Sequence, residues 1–309
     1  MIKSTITATS SFALLIALAS NASAGGLNDA IAETKVVQPA SVNLCTPSRN
    51  VDLRFGALQS DNVWEDEIET RGFDENDKVG LGDSRDMAEG GFADFAFDWD
   101  RCDSSLAIGA GFATVDMAED GAENNRIEDK ATLSYLDVSY GRPLGDSFHY
   151  FGGLRILNFE SESSLDLTPF PTVNSEAEAS FTGFGPIVGV SYETPNRSQG
   201  QFGFFGKASA AALFGSLRHE EQGSAFGTLN PFTSGETTEE SNETIVSLDA
   251  ELGAFYKVTD SSAVSLGIAY KRLNDIDFVS SNLAESDDKS FETGDREFLG
   301  AFIGYSYRF

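Results

Sequence analysis

Twelve charged side chains occur at alternate positions of strand-like segments, where they would point to the same side of a sheet. The acidic members are Asp52, Asp94, Asp98, Asp137, Asp249 and Glu251, and the basic members are Arg54, Arg155, Lys207, Lys257, Lys271 and Arg308. Mixed charges that line a narrow passage select ions, whereas charges buried in a closed interior must pair with one another. Acids and bases are equal in number, so two interpretations stay open: a near-neutral pore lining, or ion pairs that support the fold.

Two histidines are the candidates for acid–base or nucleophilic catalysis. His149 and His219 are the only ones in the chain, and His219 stands beside Glu220 and Glu221. No GxSxG motif or comparable grouping of nucleophile and base accompanies either of them. We therefore expect that the protein is not an enzyme. The weaker alternatives are a barrel protease of the omptin kind, centred on His219, and a barrel lipase.

The cysteines and the acidic stretches are the candidates for cross-linking and metal binding. Cys45 and Cys102 are the only cysteines, and two thiols in an exported chain can form one disulfide. Neither lies in a CxxC motif or beside a histidine, which disfavours a zinc site. The aspartates of the first acidic stretch could bind calcium or magnesium, but their spacing matches no EF-hand loop. They are Asp74, Asp77, Asp83 and Asp86. The sequence predicts no metal and no cofactor, and a solvated acidic surface explains the stretch.

The beginning of the chain has the pattern of a secretory signal. Lys3 gives a basic start, residues 12–19 are apolar, and Ala22-Ser23-Ala24 forms a cleavage site of small residues. We predict a signal peptide over residues 1–24 and a periplasmic segment over residues 25–49. The net charge of −28 argues against nucleic acid as a partner. No later stretch approaches the roughly 18 to 20 apolar residues that a membrane-spanning helix requires.

Ten segments between residues 50 and 309 alternate apolar and polar residues with period two, as strands with one wetted face do. The connections between them alternate in length. The long ones cover residues 59–91, 116–130, 160–179, 218–244 and 274–297, and the short ones lie near 100–104, 143–147, 194–200 and 259–262. Long outer loops and short periplasmic turns are typical of bacterial outer-membrane barrels. We predict an all-β fold, a transmembrane antiparallel up-and-down β-barrel of about ten strands over residues 50–309. A strand pair hidden near residues 80–91 would make twelve, and Pro186 predicts a local irregularity.

Aromatic residues support this topology at the ends of the segments. The final strand carries Tyr305, Tyr307 and Phe309 at alternate positions, which resembles the C-terminal signal that the barrel assembly machinery of bacteria reads. An aromatic girdle on the periplasmic side is expected as well. Its members are Trp99, Tyr140, Tyr150, Tyr192, Phe202, Tyr256 and Phe309. The expected location is the cell outer membrane, and the expected partners are its lipid and lipopolysaccharide, the assembly machinery, and small ions or solutes.

Several segments together resemble the pore-forming outer-membrane family typified by the Legionella major outer-membrane protein. They are YLDVSYGRPLG with FGGLRILNFE at 135–160, FTGFGPIVGVSYE at 181–193, GKASAAALFGSLR at 206–218, LDAELGAFY at 248–256, and the closing GAFIGYSYRF. The resemblance implies an outer-membrane barrel with porin-like activity and exposed loops. It supplies no catalytic residues, and residues 25–50 fall outside it.

These observations lead to one expected function and one alternative. We expect a pore-forming, porin-like barrel that acts as a weakly cation-preferring passive diffusion channel, because acidic outer loops concentrate cations near its mouth. The alternative is a closed-lumen surface barrel that acts in adhesion or envelope structure through those acidic extracellular loops. The sequence leaves the solute and the oligomeric state open.

Overall fold

The computed structural model describes residues 47–60, 88–101, 103–120, 126–167, 172–194, 200–226, 233–279 and 292–309, and all regular structure in them is strand. The strands are β1 (Ser48–Ser60), β2 (Ala88–Arg101), β3 (Ser104–Asp120), β4 (Arg126–Leu144), β5 (Phe148–Leu167), β6 (Thr172–Glu193), β7 (Phe202–Phe226), β8 (Thr233–Lys257), β9 (Ser262–Val279) and β10 (Glu292–Arg308). No helix in this part of the chain is long and apolar enough to cross a membrane.

The ten strands form one closed, antiparallel, up-and-down barrel in which each strand pairs with its neighbours in sequence. The barrel closes between β1 and β10, where Val51 lies opposite Tyr307. On its other side β1 pairs directly with β2 from Ser48 to Ser60. The predicted all-β barrel of about ten strands is therefore confirmed. The twelve-strand alternative is wrong, because no place in the ring remains for an extra pair between β1 and β2.

The outward face of the barrel is a belt of apolar side chains suited to lipid. Leu53 and Phe55 on β1 and Leu266 and Ile268 on β9 belong to the many large apolar residues that are exposed there. The aromatic residues predicted to form a periplasmic girdle lie at the rim of the short turns, where the Phe202 and Tyr256 rings are 4.9 Å apart. That rim is here called periplasmic and the opposite rim extracellular, following the rule for short turns and long loops. Because water would be the wrong solvent for so much apolar surface, this belt marks the part of the barrel that lies in the membrane.

The strands are longer than the sequence pattern predicts. The ladder between β5 and β6 continues to Leu167 opposite Val173, and the β7–β8 ladder continues to Ala225 opposite Thr233. The predicted loops 116–130, 160–179 and 218–244 are therefore wrong in extent, since most of their residues belong to strands. The alternation of apolar residues ends at the membrane surface, but the backbone ladder continues into water, where both faces of a strand can be polar.

Two local features follow from single residues. Gly145 in the tight turn between β4 and β5 has φ of 77°, a conformation that residues with a Cβ rarely adopt. The ladder between β6 and β7 is interrupted at residues 185 and 186. Phe184 pairs with Phe214, and the next pair joins Ile187 to Ala211. This gap confirms the irregularity predicted at Pro186, which has no N–H to donate.

A bulge interrupts β9 at the extracellular end of the barrel. The register between β9 and β10 shifts between Gly294 and Arg296, and Asp275 has a positive φ of 54°. The backbone N–H of Asp275 donates to Oδ1 of Asp295 at 3.0 Å, which stabilises the bulged conformation. Beyond this point β9 pairs with β10 alone, because the β8–β9 ladder ends where Ser247 lies opposite Leu273. Bulges commonly end the pairing of a strand in this way.

Several sequence predictions fall outside the described residues. The signal peptide, most of the periplasmic segment, and both Cys45 and Cys102 are among them, so the disulfide remains a prediction. The acidic residues between 61 and 87 also fall outside the described residues. The barrel itself begins at Ser48.

Candidate functional site

The periplasmic half of the lumen contains a cavity of about 660 Å³. It extends inward from residues of the periplasmic turns, among them Asp146 and Asp260, to residues deep in the barrel, among them Tyr135 and Lys271. All twelve charged residues predicted to line a pore contribute to its wall. The alternation of each strand brings them together, because every second residue of a strand points into the barrel. That they line an open pore stays a prediction.

Arg155 on β5 is the centre of the charged network at the inner end of this cavity. Its Nε and Nη2 donate to the two carboxylate oxygens of Asp137 on the neighbouring β4, both at 2.8 Å. Its Nη1 donates to Asp249 on β8 at 2.5 Å and to Ser247 at 2.9 Å. The guanidinium group is buried, so charge-assisted bonds of this kind are needed to offset the loss of hydration. Arg155 thereby joins two sides of the barrel across the lumen.

Lys271 on β9 completes the same network. Its Nζ lies 3.2 Å from Oδ1 of Asp249 and 4.2 Å from the ring centroid of Tyr135 on β4. The hydroxyl of Tyr135 donates to Asp94 on β2 at 2.7 Å. Gly111 leaves room for this ring, since a Cβ at that position would come within 2.3 Å of it. Strands β2, β4, β8 and β9 are therefore linked through the interior.

A second cross-lumen pair involves Arg54 on β1 and Glu251 on β8, which form a salt bridge. The guanidinium carbon of Arg54 lies 5.7 Å from the ring centroid of Phe205 and 5.3 Å from that of Phe302. Cations are attracted to aromatic faces in this arrangement. Arg54 thus stands at the boundary between the charged cavity and an apolar region of the lumen farther from the periplasm.

That apolar region is here called the lumenal plug, and it consists of buried side chains that point inward from all ten strands. It includes Leu58, Phe92, Val115, Leu133, Leu157, Phe159, Phe181, Leu213, Ile245, Leu273, Phe298 and Phe302. The rings of Phe92 and Phe302 have centroids 6.2 Å apart, and those of Phe205 and Phe302 are 6.1 Å apart. Phe159 and Phe298 are fully inaccessible to solvent. These buried side chains form one contiguous apolar cluster in the lumen.

A buried ion pair lies on the extracellular side of the lumen. Nη2 of Arg296 on β10 is 2.9 Å from Oδ2 of Asp129 on β4, and both side chains are almost wholly inaccessible. The hydroxyl of Ser163 on β5 donates to the other oxygen of Asp129 at 3.1 Å. The guanidinium carbon also lies 6.0 Å from the ring of Phe298 in the lumenal plug. The lumen is thus crossed by charged pairs on both sides of an apolar layer.

The remaining predicted residues have more local contacts. Lys207 stands 5.4 Å from the ring centroid of Phe151, and Nε of Arg308 donates to Asn50 at 3.0 Å near the periplasmic rim. Tyr305, Tyr307 and Phe309 point outward, where the last two rings stack at 6.1 Å.

Sequence reasoning missed Arg296, Asp129 and Tyr135. Arg296 on β10 and Asp129 on β4 occupy inward positions of their strands. They were missed because the predicted strands were too short and both residues fell in predicted loops. Tyr135 also occupies an inward position of its strand, but it was missed because only charged residues were considered as pore-lining candidates. The apolar inward residues were missed for a related reason: segments that are apolar on both faces obscure the period of two.

The two histidines lie in different surroundings. His149 borders the periplasmic cavity, and His219 is buried inside β7. Within the described residues, no group of three or more His, Cys, Asp or Glu side chains is arranged to hold a metal ion. Buried charges of the lumen pair with one another, as Arg155 does with Asp249 and Arg296 does with Asp129.

Comparisons with known proteins agree with an outer-membrane barrel. The family model described as Legionella pneumophila major outer membrane protein precursor matches residues 138–309. The chain matches no curated protein.

Solved structures with a similar fold have low sequence identity to this chain. The outer membrane protease OmpT from Escherichia coli is 12% identical, with a TM-score of 0.43, over 85% of this chain and 96% of its own. The translocator domain of the autotransporter NalP from Neisseria meningitidis is 11% identical, with a TM-score of 0.42, over 98% and 96%. A major outer membrane protein from Thermus thermophilus is 13% identical, with a TM-score of 0.36, over 84% and 99%.

Proposed function

The chain belongs to the Legionella pneumophila major outer membrane protein family and is an outer-membrane β-barrel; from this premise we propose that its lumen is closed and that it acts at the cell surface. Its role is then adhesion or envelope structure, carried by the strands and loops that extend beyond the membrane.

The lumenal plug is the observation that carries this proposal. Barrels of about eight strands have interiors that side chains can fill, whereas wide aqueous channels need about sixteen strands. Here Phe92, Phe205 and Phe302 meet from three different strands, and Phe159 and Phe298 lie farther along with no solvent access. An ion that crossed this layer would lose its hydration without gaining polar ligands, at a cost far above thermal energy.

The charged pairs support a closed lumen as well. Arg54–Glu251, Arg155–Asp249 and Arg296–Asp129 each join strands that are not neighbours in the barrel. Charges that are already paired in this way hold the walls together and are not available to attract a passing ion.

The extracellular ends of the strands support a surface role. A strand needs about 9 to 11 residues to cross the membrane, yet β7 and β8 each have 25 residues. More than half of each therefore lies outside the hydrocarbon layer. Exposed carboxylates on β5, β6 and β8 make this region acidic, and they include Glu160, Glu162, Glu176, Glu178 and Glu240.

A pore remains the second candidate, and the periplasmic cavity is the observation that favours it. The cavity already extends through the charged half of the lumen, so a weakly cation-preferring channel would require displacement of the lumenal plug and of the buried Arg296–Asp129 pair beyond it. In that event the mixed charges of the cavity wall would face the permeating ions.

Potassium efflux from lipid vesicles that contain the purified mature protein tests the proposal. We expect efflux at the rate of protein-free vesicles, and we expect faster efflux from the double variant Phe298→Ala, Phe302→Ala, which opens the apolar layer. The outward pair Leu299→Ala, Ile303→Ala on the same strand is the matched control and should leave the vesicles tight. Rapid efflux through the unaltered protein would overturn the closed lumen and support the pore.

A further inference from the structure

The extracellular part of β8 has a free edge. From Thr233 to Val246 this strand pairs with β7 on one side, and on the other side no described residue pairs with it. The ladder to β9 begins only at Ser247 opposite Leu273. In an antiparallel strand every second residue directs its N–H and C=O groups to the same side. The segment therefore presents a row of backbone donors and acceptors along this edge, which is here called the β8 edge.

The bulge in β9 explains why the edge exists. Asp275 adopts a left-handed conformation that its hydrogen bond to Asp295 stabilises. Because the bulge adds residues to β9, the side chain of Ile276 points into the barrel, where it is fully buried. β9 is thereby directed toward β10 and away from β8. The split begins at the level of Val246, the last large apolar residue on the outward face of β8. The β8 edge thus lies in water, where an unpaired backbone is tolerated, and not in the hydrocarbon layer.

Exposure of the side chains agrees with an uncovered strand. Thr238, Glu239, Glu240, Asn242, Glu243 and Thr244 are exposed on both faces of β8. On the neighbouring β7, by contrast, Leu217 and His219 are buried.

We propose that the β8 edge binds an extended, basic peptide segment of another protein by strand addition. Main-chain hydrogen bonds provide affinity in this mode of binding, and side chains at alternate positions provide specificity. The segment Thr233–Val246 contains Glu236, Glu239, Glu240 and Glu243 and no lysine or arginine. Lysine or arginine at alternate positions of an added strand would therefore lie opposite carboxylates of this segment. The inference rests on the proposed surface role, but its test does not depend on whether the lumen conducts.

Charge disfavours the other possible occupants. A second copy of β8 would place glutamates opposite glutamates, which is destabilising. The chain's own residues 280–291 contain Glu285, Asp287 and Asp288 against Lys289, and residues 61–87 are also strongly acidic. Like charge thus disfavours a copy of β8 and these acidic segments as occupants of the β8 edge, and it favours a partner of opposite charge.

Fluorescence anisotropy with synthetic peptides tests this inference on the full mature protein in nanodiscs of neutral lipid at physiological salt. The probe is a labelled peptide of alternating lysine and threonine, about twelve residues long to match the edge. A peptide of alternating lysine and proline has the same charge, but proline cannot donate the ladder hydrogen bonds. We expect the lysine–threonine peptide to bind at least about tenfold more tightly than the lysine–proline peptide. Equal affinity for the two would mean charge attraction alone and would overturn strand addition.

Two protein variants locate the binding surface. Glu239→Lys with Glu243→Lys should weaken binding of the lysine–threonine peptide at least about tenfold through like-charge repulsion. Glu176→Lys with Glu178→Lys is the matched control, because these exposed glutamates lie on β6 and away from the edge. An equal loss in both variants would overturn the assignment of the site to β8.

Residue-resolved amide hydrogen exchange gives an independent reading of the same edge. In the protein alone, alternate amides between Thr238 and Thr244 should exchange rapidly while those directed to β7 exchange slowly. Addition of the lysine–threonine peptide should slow the rapid set. Protection of every amide in the protein alone would show that a second copy or another part of the chain already covers the edge, and it would overturn the inference.

Discussion

Arg155 on β5 and Asp249 on β8 meet across the interior of the barrel, with Nη1 of the arginine 2.5 Å from Oδ2 of the aspartate. The two strands are not neighbours in the barrel, so this bond joins separate parts of the wall. Arg155 also makes a two-point contact with Asp137, while Lys271 shares Asp249. Loss of one member leaves the others as buried charges with incomplete partners, which predicts a strongly coupled network.

Replacement of Arg155 by alanine should therefore destabilise the barrel. We expect a loss of about 3 to 5 kcal/mol in the free energy of unfolding, because Asp137 and Asp249 would remain buried without their main counter-charge. Urea unfolding in lipid vesicles measures it. Arg218→Ala is the control, since that arginine pairs with Glu220 on the exposed surface and should contribute no more than about 1 kcal/mol. A similar small effect for both arginines would contradict the structural role of the network.

Truncation within the lumenal plug should also be costly. Phe298→Ala removes a fully buried ring and leaves a cavity, which predicts a loss of about 3 to 5 kcal/mol in the same unfolding experiment. The next residue, Leu299, faces lipid, and lipid can fill the space that Leu299→Ala creates. Leu299→Ala should therefore lower the free energy of unfolding by less, since it loses only the favourable transfer of the leucine side chain from water into lipid. Equal losses at the two positions would mean that the interior is not packed as described.

The buried pair Arg296–Asp129 predicts a different pattern for single and double substitutions. Arg296→Ala alone should destabilise the barrel strongly, because the buried carboxylate of Asp129 would lose the counter-charge of Arg296. The double variant Arg296→Met, Asp129→Leu removes both charges and places apolar side chains beside the lumenal plug, so it should be neutral or more stable than the parent by about 1 to 4 kcal/mol. If the double variant lost as much stability as the single one, the pair would be a net source of stability that apolar packing cannot replace.

The C-terminal aromatic residues should affect assembly in the cell more than intrinsic stability. The backbone of Phe309 exchanges hydrogen bonds with Arg49 at 3.0 and 3.2 Å, and a substitution of its side chain leaves these bonds in place. Phe309→Ala should lower the amount of barrel in the outer membrane several-fold while urea refolding into vesicles stays normal. Phe202→Ala, an exposed ring in the same girdle, is the control for lost membrane contact. Equal cellular amounts of the two variants would contradict a role for Phe309 as an assembly signal.

The sequence predicts the barrel well because two physical constraints act at every position. Lipid requires apolar residues on the outward face, and a strand directs alternate residues to opposite faces, so stripes such as Leu53 and Phe55 give the strands and their order. Charged inward residues such as Arg155 and Asp249 stand out in that pattern. Their partners cannot be read from it, because cross-lumen contacts depend on the tilt and closure of the barrel, which no local pattern encodes.

The ends of the strands and the lumenal plug were harder to predict. Once a ladder leaves the membrane both faces are wet, and the alternation that identifies a strand disappears; Glu162 and Glu178 therefore looked like loop residues although they lie opposite each other in the β5–β6 ladder. Phe298 shows the opposite difficulty. It points into the barrel while the next residue, Leu299, points outward, and because both are apolar the sequence shows no alternation there. A bulge such as that at Asp275 inverts the alternation locally and has no clear signal in a single sequence.

Single-channel recording of the purified, refolded mature protein in a planar bilayer under a salt gradient tests the closed lumen most directly. The packed lumenal plug predicts a silent protein that is nevertheless folded, as judged by its protease resistance and its heat-dependent mobility on gels. Discrete openings with a reversal potential on the cation side would contradict the closed lumen and would establish the weakly cation-preferring pore in its place.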